Sequence, residues 1–166
     1  MLSLNRRWMV FGSLGALVVG GGVVAVKGDP PAPGMAVLAP DELRVVRALC
    51  EVWFPPGVFA VDGLEAGVPE AVDEIALDIM EDISLAGFLY VLRVLEWSPL
   101  ARWSRRFSEL SVTERVVVLD RWSETEVAPR RAAIDAVKAV LGIAYFRHPQ
   151  VVEAMGWRTG CGGGAA

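Results

Sequence analysis

Histidine occurs once in this chain, at His148, and cysteine twice, at Cys50 and Cys161. A site built on several imidazoles is excluded by counting, and so is a Ser-His-Asp triad that uses any other histidine. Two thiols are too few for an iron–sulfur cluster, and no Cys-x-x-Cys-His run is present to attach haem. His148 precedes Pro149 at the expected end of a helix, where a protonated imidazole complements the helix dipole. That is a structural role before it is a catalytic one. Six acids, Glu70, Asp73, Glu74, Asp78, Glu81 and Asp82, lie close together. They fall along a helix, with no loop to gather their oxygens round one cation, and are expected to be a solvated face rather than a calcium or magnesium site. Glu114–Arg115 is expected to be a cap and a surface pair. Arg102, Trp103, Arg105, Arg106 and Phe107 suit lipid headgroups or an acidic partner. The default is an amphipathic surface helix with snorkelling arginines.

The two cysteines differ in setting. Cys50 shares an apolar stripe with Leu49 and Trp53 and is expected to be a small buried hydrophobe. Cys161 sits in Gly160–Cys161–Gly162, with little to bury it. In an oxidising compartment an exposed thiol tends to pair, and a disulfide from Cys161 to another chain is the favoured expectation. The intrachain alternative is a Cys50–Cys161 bridge, which requires Cα atoms within about 7 Å and a tail folded back over the first helix. A free thiol is the third possibility.

These residues have to be positioned by helices. From Ala128 to Phe146, Ile134, Val137, Leu141 and Tyr145 fall at helical spacing, and Ala139 to Phe146 carries no charge on any face. That pattern predicts a helix buried all round, which the rest of the chain packs against. Pro149 stops it, and a short helix to Met155 follows, closed by Gly156. A first helix is predicted from Pro40 to Phe54, with Leu43, Val46, Leu49, Cys50 and Trp53 inward and Pro55–Pro56 as its stop. A long glycine-containing loop then leads to a helix from Pro69, with Val72, Ile75, Ile79 and Ile83 on one face. A break at Ser84 to Gly87 precedes a helix through Phe88, Leu92 and Leu95 to Trp97. Ser111 and Glu114 form a capping box for a helix to Trp122, with Val116, Leu119 and Trp122 or Val118 inward. The expected fold class is all-α, a compact bundle of about five or six helices preceded by an N-terminal apolar signal or anchor helix.

The domain organisation follows from composition. At 166 residues and 54% apolar, one globular domain is expected. It spans residues 35–157, between a leader and linker (1–34) and a glycine-rich flexible tail (158–166). The formal net charge is −4, and nucleic-acid binding is not expected of a chain without a basic field. In the leader, Arg6 and Arg7 precede an uncharged run from Trp8 to Val26, which would span roughly 28 Å as a helix. Its glycines suit an export signal better than a permanent anchor. Asn5-Arg6-Arg7-Trp8-Met9-Val10 resembles a twin-arginine translocation signal, with Asn5 where Ser or Thr is usual and Met9 where Phe is usual. Either form of the leader places the domain outside the cytoplasm, on the periplasmic side of a bacterial inner membrane. Whether the leader is removed stays open, since Gly34-Met35-Ala36 is a weak cleavage site. Pro30, Pro31 and Pro33 mark an extended linker.

Several short motifs occur in a telling order. They are Phe54-Pro55-Pro56, then Glu65-Ala66-Gly67-Val68 with Asp73 after it, Glu114-Arg115 opening a helix, Ala144-Tyr145-Phe146 running into His148-Pro149, and Gly156-Trp157. From Leu38 to Trp157 the chain resembles the small subunit, subunit 3, of the gluconate 2-dehydrogenase family of membrane-associated sugar and polyol dehydrogenases. The resemblance implies a noncatalytic accessory subunit that binds no cofactor. Its partner would be a large FAD-containing flavoprotein of the glucose-methanol-choline type, with haem c in a possible third, multihaem cytochrome subunit. The leader would carry the leaderless large subunit through the twin-arginine pathway as a folded complex. Tyr145, His148 and Trp157 are then candidate partner-surface residues, since aromatic side chains are enriched at interfaces. The competing reading is a stand-alone membrane-tethered helical adaptor. A lone enzyme fits least, because no residues stand at catalytic spacing.

Overall fold

Proline and glycine set most of the boundaries. The computed structural model describes residues 15–19, 22–26 and 29–156, the first two stretches by backbone alone. From residue 29 onward the described chain is all-α. Its helices are α1 (Pro40–Trp53), α2 (Val68–Asp78), α3 (Asp82–Trp97), the single turn α4 (Leu100–Trp103), α5 (Val112–Ser123), α6 (Ala128–Phe146) and α7 (Pro149–Ala154), with a 3₁₀ turn at Phe107–Glu109. The leader departs from expectation. Strands β1 (Gly15–Val19) and β2 (Gly22–Val26) pair antiparallel, Gly15 opposite Val26, in place of an apolar helix. Valine is stiff at χ1 and suits a pleated strand, while each glycine costs a helix about 1 kcal/mol. β1 lies against α3.

The second half of the expected linker is not extended. Ala32 is buried, its N–H donates to the Leu38 carbonyl at 2.8 Å, and the Met35 N–H returns to Ala32 at 2.9 Å. α1 begins with Pro40 where no donor is needed, and the Glu42 carboxylate accepts the Ala39 N–H at 2.7 Å. Pro55–Pro56 then forbids a further turn.

α2 stops at Asp78, and Ile79 to Glu81 turn the chain into α3. The sequence pattern had placed the break five residues later, with Ile79 and Ile83 inward. Instead they are 67% and 88% exposed. The acids explain the shift. Glu81 at the N-cap and Asp82 in the first turn complement the dipole at the start of α3, an advantage that one continuous helix would not give them.

α1 and α6 each pack against α2, α3 and α5, so the core lies on both sides of those three helices. Leu38, Val45, Val46, Leu49, Val68, Val72, Leu92, Leu95, Phe107 and Leu141 are fully buried within it. Each such side chain contributes about 1.5–3 kcal/mol by leaving water. Ser111 caps α5 as predicted: its N–H and hydroxyl donate to the Glu114 carboxylate at 2.9 and 2.8 Å. Those bonds hold the Glu114 carboxyl below its ordinary value. The inward face of α5 is Arg115, Val118, Leu119 and Trp122, while Val116 points to solvent.

Candidate partner surface

Among the described residues four charged side chains are buried: Glu42, Asp73, Glu96 and Arg115. Each is engaged in holding structure. Glu42 takes the Arg93 Nε–H at 2.6 Å, tying α1 to α3. Glu96 takes the Ser108 N–H and hydroxyl at 3.0 and 2.7 Å. Arg115, expected at the surface, is 8% exposed and donates to the Ser108 carbonyl at 2.9 Å and to Glu51 at 2.5 Å. Asp73, expected on a solvated face, turns inward. Its carboxylate accepts the N–H groups of Ala36, Val37 and Leu38 at 2.6, 2.9 and 2.7 Å. It clamps the segment between leader and α1.

The two ends of α1 carry different surfaces, about 20 Å apart at the helical rise. At the C-terminal end, the Phe54 ring stacks on Tyr145 with centroids 4.2 Å apart and planes within 10°. Phe59 meets both rings edge-on, and Phe146 meets Tyr145 edge-on at 5.4 Å. Tyr145 is buried, and its hydroxyl donates to the Val61 carbonyl at 2.7 Å, which pins the loop of residues 57–67 over the end of α1. Gly63 brings the loop backbone so close that a Cβ there would meet those of Cys50 and Phe54 at 3.0 Å. Gly67 holds φ +65, a left-handed conformation that admits glycine most readily, at the turn into α2.

Beneath this loop Cys50 is sealed. Burial, then the nearby charges of Glu70, Glu51 and Asp62, push its thiol up to about 12. The Tyr145 hydroxyl is raised by burial and by Asp62. His148 is half-buried and opens α7, and its Nδ1 has no hydrogen-bond partner among the described residues. Trp157, Cys161, Arg6 and Arg7 lie outside the described residues.

The outer rim of the ring cluster is exposed. Phe59 and Phe146 are 43% and 49% accessible, and Val58 on the same loop, Ile143 on the same helix and Met155 after α7 are exposed as well. The expectation that α6 is buried all round is therefore corrected. Its inward face is Ile134, Val137, Leu141, Ala144 and Tyr145, and its last turns also present Ile143 and Phe146 to solvent. The absence of charge from Ala139 to Phe146 was the available signal. It marks two apolar faces, and among the described residues only one of them is covered. Asp62 and Glu65 stand in the adjoining loop, giving the apolar patch an acidic edge.

At the N-terminal end of α1, Arg106 pairs with Asp41 at 3.6 Å and lies over the Trp97 ring at 4.3 Å. Arg102 and Arg121 lie over Trp103 at 5.0 and 5.6 Å. Trp97 is 46% exposed. Ser104, with φ +51, turns the chain out of α4 so that Arg105 reaches Glu114 at 2.6 Å.

The family model described as gluconate 2-dehydrogenase subunit 3 matches residues 40–163. Comparison with curated proteins and with solved structures finds no match.

Proposed function

The chain belongs to the gluconate 2-dehydrogenase subunit 3 family, and from that premise we propose that it is the noncatalytic small subunit of a flavin-dependent dehydrogenase complex. In this reading it docks on a large flavoprotein that carries the FAD, with a haem c subunit as a possible third member. Its Arg6–Arg7 leader takes the folded pair across the bacterial inner membrane by the twin-arginine route. The complex then works on the periplasmic side.

The observation that supports this best is the exposed rim of the ring cluster at the end of α1. Phe59 and Phe146 are anchored edge-on against buried rings, yet nearly half of each faces solvent. Pre-ordered aromatic side chains give up little entropy on binding, and such residues dominate subunit interfaces. The buried charges serve the fold, which leaves the surface as the part of the molecule that acts. Loop 57–67 is held to α6 by Tyr145, so the rim is rigid before a partner arrives.

The test is copurification. The large subunit, expressed together with this chain, should elute with it, and Phe146→Glu should weaken that association by roughly 30-fold or more, as loss of an interface anchor does. Because Phe146 is half exposed, the variant should keep the wild-type helical content. Undiminished association would remove the rim from the interface, and absence of a flavoprotein from the wild-type eluate would sink the subunit reading itself.

A further inference from the structure

The opposite end of α1 carries a second surface, built from Trp97, Leu100 and Trp103 on α3 and α4 with Arg102, Arg105, Arg106 and Arg121 around them. We propose that this edge lies on the anionic headgroups of the membrane to which the leader brings the chain. The proposal rests on the export reading of the leader. It concerns a different face from the aromatic rim.

Three observations converge on lipid. The first is where the leader enters. Asp73 clamps Ala36, Val37 and Leu38 directly before α1, so the chain from residue 29 inward arrives at the end of α1 that also holds Asp41 and Arg106. Only Lys27 to Pro31 separates the uncharged run ending at Val26 from buried Ala32, a reach of at most about 22 Å when fully extended. Whatever holds the leader therefore lies within that distance of the clamp.

The second is charge. The chain is acidic overall, at −4, yet this edge gathers four arginines. Arg105 and Arg106 have Glu114 and Asp41 as partners, whereas among the described residues Arg102 and Arg121 have no ion-pair partner. Two guanidinium groups without an ion-pair partner among the described residues are what this edge offers to a surface of anionic lipid.

The third is side-chain chemistry. Trp97 is 46% and Leu100 36% exposed, and guanidinium groups stack on both tryptophans while their heads remain in water. Indole with an apolar body and a wet edge settles at the headgroup level, and arginine stems snorkel beside it. A shallow groove of about 360 Å³ between Arg93, Val94, Trp97 and Ser98 opens beside the indole.

The experiment uses the full chain with Trp8→Phe, which removes the leader's own indole, reconstituted into phosphatidylglycerol vesicles containing lipid brominated near the top of its acyl chains. The emission of Trp97 and Trp103 is obtained by difference from the same chain carrying Trp97→Phe and Trp103→Phe. That emission should fall at least twofold when brominated lipid replaces the ordinary one. Arg102→Glu should restore it, because reversing one charge at an anionic surface shifts the docking equilibrium by roughly 30-fold. Circular dichroism confirms that both variants are folded. Unquenched difference emission would overturn the proposal. So would protection of these two indoles from aqueous acrylamide by the large subunit in lipid-free detergent, since a protein would then be the occupant. Copurification of the large subunit is scored separately, so failure of the membrane contact and failure of the subunit reading give different results.

Discussion

Replacing Asp73 with alanine removes the acceptor of three backbone donors at once. Val37 and Leu38 are buried, so their N–H groups, now 2.9 and 2.7 Å from the carboxylate, would face protein instead of water. An unsatisfied buried donor costs about 1–3 kcal/mol, and the half-buried Ala36 N–H costs less because water reaches it. The total is about 3–5 kcal/mol, at the top of the range for a single substitution. Asp73→Asn keeps Oδ1 for Val37 and Leu38 and loses only the bond to Ala36, which should cost about 1–2 kcal/mol. Urea unfolding in mild detergent reads both. With a slope of about 2 kcal/mol per M, alanine should lower the midpoint by roughly 2 M and asparagine by less than 1 M. Amide exchange at Ala36 to Leu38 should accelerate in the same order. If Asp73→Ala unfolds within about 0.5 kcal/mol of wild type, or asparagine is as damaging as alanine, the clamp is not what holds this segment.

Four further outcomes are expected. Tyr145→Phe strands the Val61 carbonyl and should cost about 1–2 kcal/mol by urea unfolding, with faster proteolysis of the 57–67 loop; an unchanged midpoint would show that the hydroxyl does not pin the loop. In a Cys161→Ser chain at pH 8, Cys50, with its thiol near 12 against an ordinary 9.0, should alkylate about 1,000-fold more slowly than in the unfolded chain. The same shift sets a direction with pH: the unfolded chain releases this proton near 9 and the native one near 12, so the contribution of this thiol to stability is constant below that window and falls as pH rises through it, which alkaline unfolding curves would show. Arg6→Lys with Arg7→Lys should leave both this chain and its large subunit in the cytoplasm, and continued periplasmic accumulation of the large subunit would exclude a shared route.

Most of the helices were legible because apolar periodicity and punctuation agree in them. Pro40 and Pro55–Pro56 bracket α1, Ser111 and Glu114 open α5, and Pro149 separates α6 from α7. What was not legible was the inward turn of charged residues, which composition assigns to water. Phase carried that information. Glu42 with Val45, Val46 and Leu49, Asp73 with Pro69, Val72 and Ala76, Glu96 with Phe88, Leu92 and Leu95, and Arg115 with Val118, Leu119 and Trp122 all keep the spacing of a buried stripe. The α2–α3 break was misplaced because Ile75, Ile79 and Ile83 continue the apolar spacing through it, while the acids that open α3 act through the dipole and leave no mark on periodicity. The aromatic rim stayed hidden for a related reason. A segment without charge looks buried throughout, and the sequence does not say that Ile143 and Phe146 face away from α2, α3 and α5.

The four buried charges also determine which elements can be neighbours. Leucine and valine faces are nearly interchangeable, so a bundle held by them alone admits several pairings of similar energy. Glu42 finds its guanidinium on α3, Arg115 its acceptors on α1 and beside Ser108, Glu96 its donors in the 3₁₀ turn, and Asp73 its donors ahead of α1. Sliding one helix by a turn, about 5.4 Å, would break such a bond and leave a charge stranded at a cost of about 3–5 kcal/mol. The apolar majority decides that the chain collapses, and this polar minority selects one arrangement from the collapsed set. On that hypothesis, replacing Glu42 and Arg93 together by leucine would broaden the side-chain NMR lines, and lines as sharp as wild type would show that packing alone discriminates between these neighbours.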